Sequence, residues 1–112
     1  MVRSGKRAFL QSIVFTIYIT EAAELDVREA FLWYEKQRNG LGEAFREDME
    51  KTIQAIRYQP FLFQAKYRNI RVAYPNRFPF GLHYYVHEKE KHLDIVACFH
   101  TAKNPRKWYQ RG

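Results

Sequence analysis

FPFGLHYYVHEKEKHLDIVACFH, residues 78–100, decides the fold. Its first part alternates with period two, which puts Phe80, Leu82, Tyr84 and Val86 on one side of a strand and Gly81, His83, Tyr85 and His87 on the other. The last part, HLDIVACFH, repeats the pattern, with Leu93, Ile95, Ala97 and Phe99 on the apolar side and Asp94, Val96, Cys98 and His100 opposite. Between them HEKEKH is a polar hairpin loop, so the two strands run antiparallel. Upstream, YRNIRVAY (67–74) predicts a third strand, ended by a turn at Pro75 and Asn76. With Ile70, Val72 and Tyr74 directed inward, Arg71 joins the outer face. A three-stranded antiparallel meander is expected.

Before residue 60 the apolar period changes from two to that of a helix. Ala23, Val27, Ala30, Phe31 and Tyr34 form one stripe, with Thr20 as N-cap and Glu21 and Glu24 near the positive end of the helix. The glycines of NGLG, Gly40 and Gly42, turn the chain back. A second helix is expected from about Glu43 to Tyr58, with Phe45, Met49, Ile53 and Ile56 on one face and Pro60 as its stop. So short a connection makes the two helices an antiparallel hairpin. Residues 13–20, rich in β-branched side chains, predict an N-terminal strand. Asn104 followed by Pro105 opens a short C-terminal helix, RKWYQR, anchored by Trp108. The chain therefore reads as α+β, with helices covering one face of the sheet and the other face open. Trp33 and Tyr34 are read as core, as are Phe78 and Phe80.

The chain has 112 residues and a net charge of +7, enough length for one core and one domain, read as residues 13–112 with 1–12 as an N-terminal extension. Residues 21–50 carry nine acids and four bases, while 51–87 carry six bases and no acid. That asymmetry favours a polyanionic partner, nucleic acid or an acidic protein segment, although a solvated basic surface would look the same. Cys98 is the only cysteine, so no disulfide forms within the chain, and a reducing cytoplasm is the expected compartment. Gln11 and Ser12 interrupt the apolar run near the start, which argues against a signal peptide, and no stretch approaches the ~20 apolar residues of a membrane span.

Three stretches, WYEKQRNGLGEAF, RFPFGLHYYV and CFHTAKNPRKWYQR, occur in this order over a region of about residues 13–111 that resembles the RelE/ParE superfamily of type II toxins, and in particular plasmid-stabilisation proteins. The resemblance implies a helical hairpin packed on a small antiparallel sheet. It also implies a toxin neutralised in a hetero-oligomer by an antitoxin whose acidic, partly helical segment wraps the basic surface. The superfamily holds ribosome-dependent messenger endonucleases and non-enzymatic inhibitors of DNA gyrase, so the target stays open, with a generic basic RNA-binding domain as a third reading.

If the target is messenger, a 2′-hydroxyl must be deprotonated, a pentavalent phosphate stabilised and a leaving oxygen protonated. His100 and His83 are the candidate acid and base, and Tyr85 is a stacking group or proton donor. Arg71, Arg77, Lys103 and Arg106 are the candidate phosphate contacts. Each also fits the polar side of an amphipathic sheet. The endonuclease relatives often carry an arginine where the second strand begins, and this chain has Gly81 in that column, which weighs against the nuclease. No metal or cofactor is expected, because histidines four apart on one strand, such as His83 and His87, lie ~13 Å apart, too far for a common ion.

Overall fold

The computed structural model describes residues 14–111. The extension 1–12, Ile13 and Gly112 lie outside the described residues. The elements follow one another as β1 (Thr16–Ile19), α1 (Glu21–Gln37), α2 (Leu41–Tyr58), β2 (Ala65–Tyr67), β3 (Ile70–Ala73), β4 (Phe80–His87), β5 (His92–His100), a 3₁₀ turn (Pro105–Lys107) and α3 (Trp108–Arg111). The strands form one five-stranded sheet in the order β1-β5-β4-β3-β2. All neighbours are antiparallel except β1, which runs parallel to β5.

Local chemistry accounts for the helices. The Thr20 hydroxyl accepts from Ala23 N at 3.1 Å and caps α1. The turn into α2 needs Gly40, whose φ of +90° lies in the left-handed region. Glu35 then closes the hairpin, its carboxylate accepting from Gly40 N at 3.0 Å and Gly42 N at 2.9 Å at the positive end of α2. Gly42 is required by close approach, since a Cβ there would stand 2.8 Å from Phe31 O.

The helices lie on one face of the sheet. Phe45, Met49 and Ile56 from α2 and Ala23 and Ala30 from α1 bury against Leu82, Tyr84, Leu93, Ile95 and Cys98. At one end Tyr34 stacks on Phe45 at a centroid distance of 5.4 Å and is edge-on to Phe78 and Phe80 at 4.8 and 6.2 Å. Trp33, expected in this core, is exposed; its neighbour on the helix takes the inward position.

Two readings of the strands need correction. YRNIRVAY is a hairpin rather than one strand. Arg68 (φ +45°) and Asn69 (φ +62°) are both left-handed, the geometry of a tight two-residue turn, and Tyr67 pairs with Ile70 across it. In β5, Tyr84 pairs with Ile95 and His83 with Ala97, so Val96 is an extra residue. This bulge reverses the alternation beyond it. Cys98 and His100 therefore share the helix side with their partners Leu82 and Phe80, while Ala97 and Phe99 share the other side with His83 and Gly81.

Asp48 is the buried acid of α2, and its Oδ2 accepts from Arg77 N at 2.9 Å and Phe78 N at 3.0 Å. It pins the segment leading into β4 against the helix and so sets where Phe78 and Phe80 enter the core. Asp48→Ala leaves two backbone N–H groups without an acceptor and should lower unfolding stability by about 2–4 kcal/mol, read as a shift of the urea midpoint.

Candidate functional site

The face of the sheet away from the helices was expected to be open, with Arg71, His83, Tyr85 and His100 on it. Much of it is covered. Tyr67, Ile70 and Val72 form a second apolar cluster there with Val96 and Trp108, and α3 lies on top. The centre of this cluster is His83, 1% exposed. Its Nδ1 is 2.8 Å from the Tyr67 hydroxyl, and its ring is edge-on to Trp108 and Phe99 at 4.9 and 5.0 Å. Burial lowers the His83 pKa from the ordinary 6.5 to about 4; Asp26 partly opposes the shift and Arg111 adds to it. The imidazole is therefore neutral at pH 7.

One carboxylate holds the covering tail in place. Asp26, on α1, accepts two hydrogen bonds from the Arg111 guanidinium, at 2.8 Å through Oδ2 and 3.2 Å through Oδ1. Its Oδ2 also accepts from Cys98 N at 3.0 Å. Arg111 Nη1 donates in addition to Val96 O at 3.0 Å, and the guanidinium lies 4.9 Å over the Phe99 ring. The last β1 partner on β5 is Ile95, so Val96 and Cys98 occupy the stretch of edge that β1 leaves bare. The Asp26–Arg111 pair satisfies backbone groups there that no strand reaches. Burial, with Asp26 adding to it, pushes the Cys98 thiol up to about 12, so it stays protonated and inert.

The remaining predicted residues are dispersed. His100 is exposed on the helix side of the sheet, edge-on to Phe80 at 5.1 Å, with Nδ1 accepting from Ala102 N at 3.0 Å. It lines a groove of about 610 Å³ with Trp33, Tyr34 and Lys103. Tyr85 lies past the bulge, paired with Asp94 and edge-on to His87 at 4.9 Å. Arg71 belongs to the helix side with its partner Tyr84; it donates to Phe63 O at 2.7 Å and lies 5.0 Å over Phe61. The reason is the 68–69 turn, which sets Ile70 and Val72 on the α3 side and Arg71 opposite. Arg77 lies 5.6 Å over Phe78 and Lys103 4.8 Å over Phe99. Arg106 is exposed in the 3₁₀ turn, which Asn104 caps. His83, Tyr85 and His100 are not brought together.

Gly81 is fixed by packing. A Cβ there would stand 2.8 Å from Val72 Cγ1 and 3.2 Å from Tyr74 Cε1, so this column has no room for an arginine unless β3 yields. The metal argument from spacing holds along one strand but misses a pair across the hairpin: His87 and His92 are cross-strand partners. The signal was present in HEKEKHLD, where a loop separates the two imidazoles.

With this geometry in view, the chain compares as follows with known proteins. A chain of the solved structure described as "Chromosomal ParDE TA system from P. aeruginosa" superposes with a TM-score of 0.68 at 16% sequence identity, covering 80% of this chain and 98% of that one. No protein-family model and no curated protein matches the sequence. The likeness shows the fold, an α+β arrangement of a helical hairpin on a mixed five-stranded sheet. Among the described residues no helix is long and apolar enough to cross a membrane.

The depressed His83 pKa has a sign that can be measured. Between about pH 6.5 and 4 the unfolded chain binds a proton at this residue and the folded chain does not, so stability falls as pH falls through that window. The full effect is about 3 kcal/mol. Urea titrations at pH 7 and pH 4 should show it in the natural sequence and lack that increment in His83→Gln. Separately, Gly81→Ala should cost about 1–3 kcal/mol by crowding Val72, measured by the same titration at pH 7.

Proposed function

We propose that this chain is the toxin of a type II toxin–antitoxin module, a growth inhibitor neutralised by an acidic antitoxin, and that it acts by binding its target rather than by cutting RNA. The observation that carries the first part is the fold shared with a chain of the ParDE system over nearly the whole of that chain. Charge supports it. Lys66, Arg68, Lys103, Arg106 and Lys107 are exposed on and around the C-terminal tail, a surface complementary to an acidic segment.

The second part is supported by the arrangement around His83. A general acid or base must reach the proton it moves, whereas this imidazole is bonded to Tyr67 beneath Trp108. His100, the exposed one of the two candidate histidines, faces the helix side without His83 or Tyr85 as neighbour, and Gly81 stands where the usual arginine would. For a non-cleaving member of the fold the resemblance offers DNA gyrase. Arg68, whose guanidinium lies 4.8 Å over the Tyr109 ring, and the exposed Lys103 and Arg106 are the groups this reading assigns to contact. The competing reading is a ribosome-dependent messenger endonuclease, with His100 as its acid–base group.

Inducing the chain without its antitoxin should arrest growth and leave DNA breaks, with messengers intact. Purified gyrase should lose supercoiling activity in its presence, and His100→Ala should stay toxic. Translation-dependent cuts in messenger, abolished by His100→Ala in a folded protein, would instead establish the nuclease. Normal growth on induction of soluble chain would remove the toxin reading altogether.

A further inference from the structure

The tail covers only part of the outer face, and the far end of the β4–β5 hairpin carries a cluster to which the proposed function assigns no role. His87 and His92 close the hairpin as cross-strand partners, their rings stacked with centroids 4.2 Å apart and planes 26° apart. Asp94, two residues beyond His92 and so on the same side of β5, has Oδ2 2.9 Å from His87 Nε2. One ligand atom from each of the three lies within 4.8 Å of the others, and all three side chains are half-buried. Neighbouring rings hold the imidazoles in place: Tyr85 is edge-on to His87 at 4.9 Å and Tyr18 edge-on to His92 at 5.3 Å. Lys91, the loop cation that adjoins His92 in the chain, turns its ammonium to the Phe15 ring, 5.6 Å away.

We propose that His87, His92 and Asp94 form a binding site for a divalent transition-metal ion, zinc in the first instance. Two imidazole nitrogens and one carboxylate oxygen are the donors that zinc takes, whereas magnesium and calcium favour shells of oxygen alone. Zinc holds such donors at about 2.0–2.1 Å, which in a tetrahedron separates them by roughly 3.4 Å. The backbone register already brings the three donors near that spacing, and rotation of half-exposed side chains supplies the rest. The ion replaces the His87–Asp94 hydrogen bond and ties β4 to β5 at the end where the ladder stops. Three protein ligands leave one position to water.

The test uses the full-length, tag-free chain from cell-free synthesis, titrated with zinc chloride by calorimetry, with cobalt as a spectroscopic substitute. Binding of one zinc per chain is expected, with tetrahedral cobalt absorption displaced by zinc. His87→Gln, His92→Gln and Asp94→Asn should each weaken binding roughly tenfold or more, with circular dichroism confirming that each variant is folded. His100→Gln should bind as the natural sequence does. Zinc should shift the ring resonances of His87 and His92 and leave His83 unmoved, a readout that needs no variant to fold. The proposal is overturned by absence of saturable binding at micromolar zinc, by binding that survives the His87→Gln/His92→Gln double substitution, or by half an ion per chain, which would mean a site shared between copies.

Discussion

The Asp26 carboxylate is the contact on which the cover of the outer face depends. It reaches from α1 past the edge of β5, takes the Cys98 N–H and grips the Arg111 guanidinium. Both side chains are largely shielded, at 16% and 26% exposure, so the pair is screened less than a surface ion pair, and its two parallel hydrogen bonds fix orientation as well as distance. A four-residue helix has no stability of its own. Docked through Arg111 and Trp108, α3 lies over the sheet, and that cover withdraws His83 from solvent. An acid on a helix thus helps to keep a histidine of the opposite sheet face out of solvent.

The bulge at Val96 is the second determinant. An uninterrupted β5 would have placed His100 and Cys98 on the outer face that His83 occupies; the extra residue sends both to the helix side. Together with the Gly81 contact, it leaves the outer face built for shape and charge. Its centre is apolar and aromatic, and its rim carries arginine and lysine from the 68–69 turn and the tail. Such a surface suits association with an anionic or acidic partner, in which buried aromatics anchor and peripheral cations steer.

The α+β class was legible in the sequence because the apolar periods are clean on α2 and β4 and still readable on α1, where the exposed Leu25, Leu32 and Trp33 blur the stripe. Thr20, Gly40 and Asn104 announced the caps and turn that the structure contains. The face assignments were less legible for identifiable reasons. Val96 and Ala97 are both apolar, so a strand with a bulge between them alternates no differently to the eye than one without. Arg68 and Asn69 carry no glycine to mark a left-handed turn, and the run from Tyr67 to Tyr74 passed for one strand. Asp26 and Asp48 look like ordinary acids of an amphipathic helix; their tasks are tertiary and appear only when β5 and the loop before β4 arrive. The histidines His87 and His92 are set aside as ligands, and Asp94 is not joined to them, when distance is counted along the strand rather than across it.

The parallel pairing of β1 with β5 joins segments from nearly opposite ends of the chain. Contacts of such long sequence separation form slowly, since a large loop must close before any of them contributes. During synthesis, at ~5–20 residues per second, the helical hairpin can assemble as it emerges, but β1 has no partner until β5 leaves the exit tunnel. Sheet closure, the Asp26 clasp and the seating of α3 thus wait for β5 and the tail to emerge. A nascent chain that has not yet released β5 and the tail therefore lacks the finished outer face.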